Sequence, residues 1–196
     1  MSTEWPILTY ERAACATFRR TREEFGGLSN FAGSFPLVVN GAAIRTTEAL
    51  YQACRFPHLP DLQRAIVAER NPMRAKWTAR AHAAQSRPDW AAVRVEVMRW
   101  CLRVKLAQHP ETFGHVLRAT GRRPIVEDSA RDRFWGAVPA DGATLVGRNV
   151  LGRLLSELRD ETALAETGMP SVVLPLALPR FDLEGTPIGP VERPAR

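Results

Sequence analysis

Between Ser86 and Gln108 apolar residues recur at the three- and four-residue spacing that a long α-helix brings to one side. Trp90, Val93, Val97, Cys101 and Val104 form the stripe, and Met98 and Leu102 widen it. Pro88 near the start, followed by Asp89, suits a first helical turn. Such a helix has to bury its stripe, so the rest of the chain is expected to pack around it. Lys105 falls one turn beyond Cys101, on the edge of the stripe. It either snorkels, with its stem on apolar surface and its amine in water, or it is a partly desolvated amine with a lowered pKa and nucleophilic character.

Shorter elements are expected on both sides of this helix. Phe35 to Val39 and Ala42 to Ile44 flank Asn40-Gly41, the dipeptide that accepts positive φ at both centres of a two-residue hairpin turn. Ala13 to Phe18 and Pro124 to Val126 read as short strands, and Thr21 to Glu24 as a helical turn. Asp61 to Glu69 predicts a helix with Leu62, Ala65 and Ile66 inward. Asn71-Pro72 is a cap and first turn for a helix carrying Arg74, Lys76 and Arg80 on a solvated face or toward phosphate. Pro110 to Thr120 gives another helix, with Phe113, Val116 and Leu117 inward and Gly121 as its stop. A last helix carries Leu151, Leu154, Leu155 and Leu158, with Asn149 at the cap position and Gly152 permitting close packing or ligand approach. With 196 residues, 45% of them hydrophobic, one domain with a real core is enough, assigned here to residues 13–166. Residues 167–196 turn Pro-rich and are expected to be either an extended strap or a disordered tail.

The stretch from Thr46 to Phe56 concentrates the chemistry. Thr46 or Thr47 caps a helix, which puts Glu48 in its first turn, where unpaired N–H groups and the positive end of the dipole hold a carboxylate ionised. Leu50, Ala53, Cys54 and Phe56 are expected to be buried, leaving Glu48, Tyr51, Gln52 and Arg55 together on the polar side. A plain reading stays open: an acid at a helix start with a glutamine one turn on.

Two other stretches stand out. Phe25-Gly26-Gly27-Leu28-Ser29-Asn30-Phe31 suits a loop whose backbone approaches a ligand, or an ordinary connection. Glu127 to Gly136 sets Glu127, Asp128, Arg131, Asp132 and Arg133 before Phe134-Trp135-Gly136. Here acids accept hydrogen bonds, arginines hold phosphate and the Trp face stacks on a base or sugar. A structural salt-bridge cluster around a buried Trp is the alternative.

The net charge of +6 favours a polyanionic or phosphorylated partner, with nucleic acid a candidate. Lys76 and Lys105 are the only lysines. Cys15, Cys54 and Cys101 show no CxxC spacing and read as small core residues of a reduced, cytoplasmic protein. No run of apolar residues is long enough to span a membrane, and no secretory leader pattern opens the chain. There is no Walker loop, no GxGxxG and no histidine pair at metal spacing, so no cofactor or metal is expected. Nothing in the sequence fixes an oligomeric state.

Taken in order, several blocks resemble the YbiA family, also called the NADAR domain. They are Phe25 to Phe31, Thr46-Thr47-Glu48 with Tyr51-Gln52-Ala53, Trp90 with Arg94 to Met98, Lys105, and Leu117 to Gly121. Ile125-Val126-Glu127, Asp132 to Gly136 and Asn149 to Leu155 complete the set. The resemblance implies a mostly helical α+β single domain with a small antiparallel sheet or hairpin, and an N-glycosidase activity. Family members are linked to cleaving the ribosylamine bond of early riboflavin intermediates with release of ribose 5-phosphate, and to removing ADP-ribose from guanine bases. This implies a phosphorylated N-riboside or ADP-ribosyl substrate, and a site drawn from Asn30, Glu48, Tyr51, Gln52, Arg55, Lys105, Glu127, Asp132, Arg133, Trp135, Gly136 and Asn149. Two positions depart from the pattern: Ala49 stands where many members have His, and Arg55 where many have Lys.

Cleaving a C1′–N bond passes through an oxocarbenium-like state that needs a nearby carboxylate, an acid for the leaving base, and water. Glu48, Glu127 and Asp132 are the candidate carboxylates; Arg133, Arg55 and Arg74 can hold phosphate; Trp135 can stack on the base. Capture of the ring-opened sugar by Lys105 as a Schiff base is the second mechanism. A basic module that binds ADP-ribose or nucleic acid without turnover is the non-catalytic alternative.

Overall fold

The computed structural model describes residues 5–164 and 171–193. In chain order the first elements are β1 (Leu8–Glu11), β2 (Ala16–Phe18), β3 (Leu37–Val39), β4 (Ala42–Ile44), α1 (Thr47–Ala53), α2 (Pro60–Ala68) and α3 (Pro72–Ala81). Then come α4 (Trp90–Gln108), α5 (Thr112–Ala119), β5 (Ile125–Glu127), β6 (Val138–Pro139), β7 (Thr144–Gly147) and α6 (Val150–Leu164). Four two-residue strands follow: β8 (Val172–Val173), β9 (Asp182–Leu183), β10 (Thr186–Pro187) and β11 (Val191–Glu192). The fold is α+β, as expected, and no helix among the described residues is long and apolar enough to cross a membrane.

The chain divides into two compact units, each built from separate stretches of sequence. One takes the residues up to Ser29 and those from Thr112 to Gly168; the other takes Asn30–Glu111 and the residues from Met169 on.

In the first unit β7 pairs antiparallel with both β1 and β6, while β2 and β5 pair in parallel. Helix α6 lies on β5 at very short range. A Cβ on Gly152 would collide with the Ile125 carbonyl oxygen, so the small residue serves close packing between helix and strand. Gly26 is explained in the same way. It lies in a 3-10 turn (Gly26–Leu28), and a Cβ there would come within 2.5 Å of the Arg20 carbonyl oxygen, so internal packing accounts for this glycine.

The second unit contains the hairpin, α1 to α4 and the C-terminal segment. Asn40 and Gly41 take φ of 50° and 78°, as a two-residue turn of this kind requires. Helix α4 begins at Trp90, four residues after the sequence suggests, and Asp89 precedes it with its carboxylate held by Arg87 rather than capping the helix. Its first half is one-sided, but from Trp100 to Gln108 nearly every side chain is buried, Arg103 being the half-buried exception. On α2 the inward residues are Gln63, Ile66 and Val67, while Ala65 is exposed. Gln63 is tolerated inside because its amide donates to the Ala53 and Asp182 carbonyls and accepts from the Glu184 N–H.

The Pro-rich segment is a strap where it is described. Val172–Val173 pairs with Val191–Glu192, the Trp100 indole donates to the Leu174 carbonyl, and Phe181 packs edge-on against Trp100. Gln108 donates to the carbonyls of Val38 and Glu192, tying hairpin, helix and strap together. The remaining parts of that stretch, 167–170 and 194–196, lie outside the described residues.

Candidate functional site

Thr46 caps α1 through its hydroxyl, which accepts from the Ala49 N–H at 3.2 Å. The Glu48 N–H donates to the Asn30 carbonyl at 3.1 Å. One turn on, the Gln52 amide donates to Glu48 Oε1 at 2.9 Å. The expected polar side of α1 is not solvated. All seven residues of the helix are buried, Glu48 at 5% and Gln52 at 7% exposure.

A carboxylate withdrawn from water in this way needs donors, of which the Gln52 amide is one. Among the described residues, Asn30 Oδ1, Gln52 Oε1 and Thr47 Oγ1 are buried without a hydrogen-bond partner. Asn30 is oriented by its own Nδ2, which donates to the Met98 sulfur at 3.1 Å. Thr47 and Gln52 belong to the same helix as Glu48, and the Asn30 carbonyl accepts from the Glu48 N–H, so each of these oxygens lies on a segment next to the carboxylate.

An aromatic and cationic edge adjoins it. The Tyr51 ring lies 5.1 Å from that of Trp90, and burial, reinforced by the Glu48 charge, holds the Tyr51 phenol well above its usual pKa. The Arg55 guanidinium lies over the rings of Phe56 and Trp90, with Nε donating to Ser86 Oγ at 2.6 Å. Partial burial lowers its pKa from the usual arginine value. Burial, with Cys54 beside it, raises the Cys101 thiol far above its normal range, so Cys101 behaves as an inert core group here.

Lys105 is fully buried, its Nζ 4.7 Å from the centre of the Phe35 ring. It does not snorkel, and desolvation brings its pKa down from 10.5 to about 7. It continues the α4 face that carries Met98 and Cys101, whose neighbours are Asn30 and Cys54 respectively.

The other sequence candidates belong to the first unit. Asp132 Oδ1 accepts from the N–H groups of both Phe134 and Trp135 at 2.9 Å and folds that corner. The carbonyls of Arg133, Phe134, Trp135 and Gly136 then accept from Arg148, Val150, Leu151 and Asn149, so four consecutive residues cap the start of α6. Asn149 is thereby released from capping. At φ 49° its amide donates to the Ile125 carbonyl and its Oδ1 accepts from the Glu127 N–H, clipping the side of β5. Gly136 is required beside Glu127, since a Cβ would sit 2.6 Å from the Glu127 carbonyl oxygen and 3.2 Å from Glu127 Oε2. Trp135 is half-buried with Phe134 edge-on at 5.0 Å, and Arg133 is exposed. The charged block is therefore organised mainly by hydrogen bonds to its own backbone. An ion pair at this block, Arg12 with Asp128 at 2.6 Å, involves a partner that the sequence does not suggest.

The structure thus groups Asn30, Glu48, Tyr51, Gln52, Arg55 and Lys105 in one unit and Glu127, Asp132, Arg133, Trp135, Gly136 and Asn149 in the other. Of the two threonines that the sequence offers as caps, Thr46 does the capping, and the Thr47 hydroxyl is buried without a hydrogen-bond partner among the described residues. Among the described residues no group of three or more His, Cys, Asp or Glu could hold a metal ion.

The sequence model of the NADAR domain matches residues 17–163. The chain belongs to the NADAR family. It is 36% identical over 148 residues to the N-glycosidase YbiA of Escherichia coli, covering 75% of this chain and 88% of that protein. An N-glycosidase of Nostoc punctiforme is 32% identical over 146 residues, covering 74% and 90%. A riboflavin biosynthesis protein of Vibrio vulnificus is 36% identical over 160 residues, which are 81% of this chain and 39% of that longer protein. The NMR structure of E. coli YbiA matches with a TM-score of 0.65 at 32% identity, covering 79% of this chain and 91% of the other. The NADAR match includes every candidate residue named above and ends before the strap.

Proposed function

We propose that this chain hydrolyses the C1′–N bond of a phosphorylated N-riboside, with Glu48 as the carboxylate that stabilises the developing oxocarbenium charge. Membership of a family with curated N-glycosidases supplies the reaction type. The observation that carries the residue assignment is the burial of Glu48 at a helix start, amid amide and hydroxyl oxygens that lack donors. Ribose hydroxyls are donors of the kind these oxygens lack, and a carboxylate kept from bulk water interacts strongly with positive charge on the sugar ring. Gln52 fixes the carboxylate through Oε1, and Arg55 supplies a cation for the phosphate.

The substrate class we favour is an early riboflavin intermediate, a base joined to ribose 5-phosphate through an amine, because relatives from Vibrio vulnificus and Zea mays bear riboflavin biosynthesis names. The second reading is removal of ADP-ribose from guanine in nucleic acid, which the net positive charge favours. Chromatography of reactions with a panel of phosphoribosylamino-pyrimidines and ADP-ribosylated guanine DNA tests both. Release of ribose 5-phosphate is the expected result, release of ADP-ribose alone favours the second reading, and binding with no product identifies a non-catalytic module.

A further inference from the structure

The second unit holds a cavity of about 530 Å³. Pro57 and His58 after α1, the turn from Ala84 to Asp89 before α4, and Pro179 and Arg180 of the strap form its walls. Its volume lies in the range of small-molecule sites. Neither Glu48 nor Lys105 lines it, and Pro179 and Arg180 lie outside the stretch matched by the NADAR family.

Its chemistry is cationic on an apolar frame. Arg87 is only 5% exposed; its Nε and Nη2 are held by the Asp89 carboxylate, Nη2 also reaches the Pro179 carbonyl, and Nη1 is buried with no acceptor among the described residues. Nη1 lies beneath the cavity surface, so an entering anion would reach this guanidinium by competing with the Asp89 carboxylate for the Nε and Nη2 fork. Arg180 adds a second cation, and it does so at φ 49°, a left-handed conformation that glycine or asparagine would adopt more readily. Strain kept in an arginine at a cavity rim is the kind of outlier that points to function. The long helix α4 starts directly after this turn. Three prolines supply apolar surface, and Asp89 is the one carboxylate among the lining residues.

We propose that this cavity, walled on one side by Pro179 and Arg180 of the C-terminal strap, is a binding site for a small phosphate monoester with a compact apolar body. The phosphate takes the Arg87 and Arg180 donors and the apolar body rests against Pro57, Pro88 and Pro179. The site would let the chain respond to a phosphorylated metabolite without using Glu48.

Titration of the full chain with phenyl phosphate, followed by nuclear magnetic resonance, tests this, with phenol as the uncharged control. Saturation with a dissociation constant on the order of 1 mM is expected, with the largest shifts at His58, Ser86 and Arg180. Arg180→Gly should weaken binding about tenfold while raising the melting temperature, because it removes charge and strain together. Asp89→Asn should tighten binding severalfold, since it removes the competing carboxylate and frees the Arg87 fork. Failure to saturate, equal binding of phenol, unchanged affinity in Arg180→Gly, or weaker binding in Asp89→Asn would each overturn the proposal.

Discussion

The side-chain amide of Gln52 donates to Glu48 Oε1 at 2.9 Å, one helical turn away, and both residues are buried. On an exposed helix such a pair would add a few tenths of a kcal/mol, about 0.2–0.5, to helix stability. Buried, it has a different consequence: the amide nitrogen is committed to the carboxylate, so the amide oxygen is left facing a place with no donor. Glu48 is thereby oriented, and Gln52 becomes an acceptor for whatever enters. The same division holds at Asn30, whose nitrogen is committed to Met98 and whose oxygen is left over.

Glu48→Gln keeps the shape of the side chain and removes its charge. It should reduce turnover by about a hundredfold, close to 3 kcal/mol of transition-state stabilisation, with the melting temperature little changed. The kcat of a folded Glu48→Gln protein is the measurement; a rate equal to wild type would remove Glu48 from the chemistry.

Gln52→Met replaces the amide by an apolar chain of similar length. Glu48 then loses its positioning donor and the substrate loses an acceptor, so kcat/KM should fall about tenfold. Steady-state kinetics over several substrate concentrations checks this. Unaltered kcat and KM would mean that the pair is structural only.

The local signals were readable where a single residue type answers a single backbone demand. Asn40-Gly41 supplies the positive φ of a hairpin, Thr46 supplies a cap oxygen, and Asn71-Pro72 starts a helix. Misjudged positions are those decided by tertiary neighbours. Gln63 looks like a surface residue until the strap brings the Asp182 carbonyl to it, and α1 looks amphipathic until its surroundings bury Glu48 and Gln52. Asn149 occupies a cap position, but the carbonyls of residues 133–136 do the capping and turn its side chain toward β5. Periodicity placed Lys105 on the edge of a stripe; it could not show that the stripe disappears where α4 is buried nearly all round.

Gly152→Ala should be among the most damaging small substitutions in the chain. The added methyl would meet the Ile125 carbonyl oxygen and, at 2.6 Å, the Asn149 amide, which itself clips β5. A loss on the order of 3 kcal/mol is expected, read as an earlier denaturant midpoint. Ala in place of Gly normally favours a helix, so a stabilised variant would contradict the close packing of α6 on β5.

Lys105 makes stability depend on pH in a predictable direction. Its pKa is about 7 when folded against 10.5 for the ordinary amine, so between those values the unfolded chain holds a proton that the folded chain lacks. Stability from this group therefore rises with pH across that interval, and the burial penalty is complete below pH 7. Lys105→Met removes the titration. The difference in unfolding free energy between variant and wild type should favour the variant at pH 6 and shrink by at most about 4 kcal/mol toward pH 10. A difference independent of pH would show that the amine is not desolvated.

The same buried amine decides between the two mechanisms. Direct hydrolysis assisted by Glu48 needs no covalent link to the protein, whereas capture of the ring-opened sugar at C1 by Lys105 passes through an imine. At neutral pH a pKa of about 7 leaves a large fraction of Lys105 as the free amine, so it is chemically competent for the second route. Its complete burial beside Phe35 and the position of Glu48 favour the first. Borohydride added during turnover should therefore leave no adduct, and Lys105→Arg, cationic but not nucleophilic, should retain partial activity in a folded protein. A sugar-sized mass increase on the peptide containing Lys105, together with an inactive Lys105→Arg variant, would establish the Schiff-base route instead. The same increase on the peptide containing Lys76, the only other lysine, would place the reacting amine on α3.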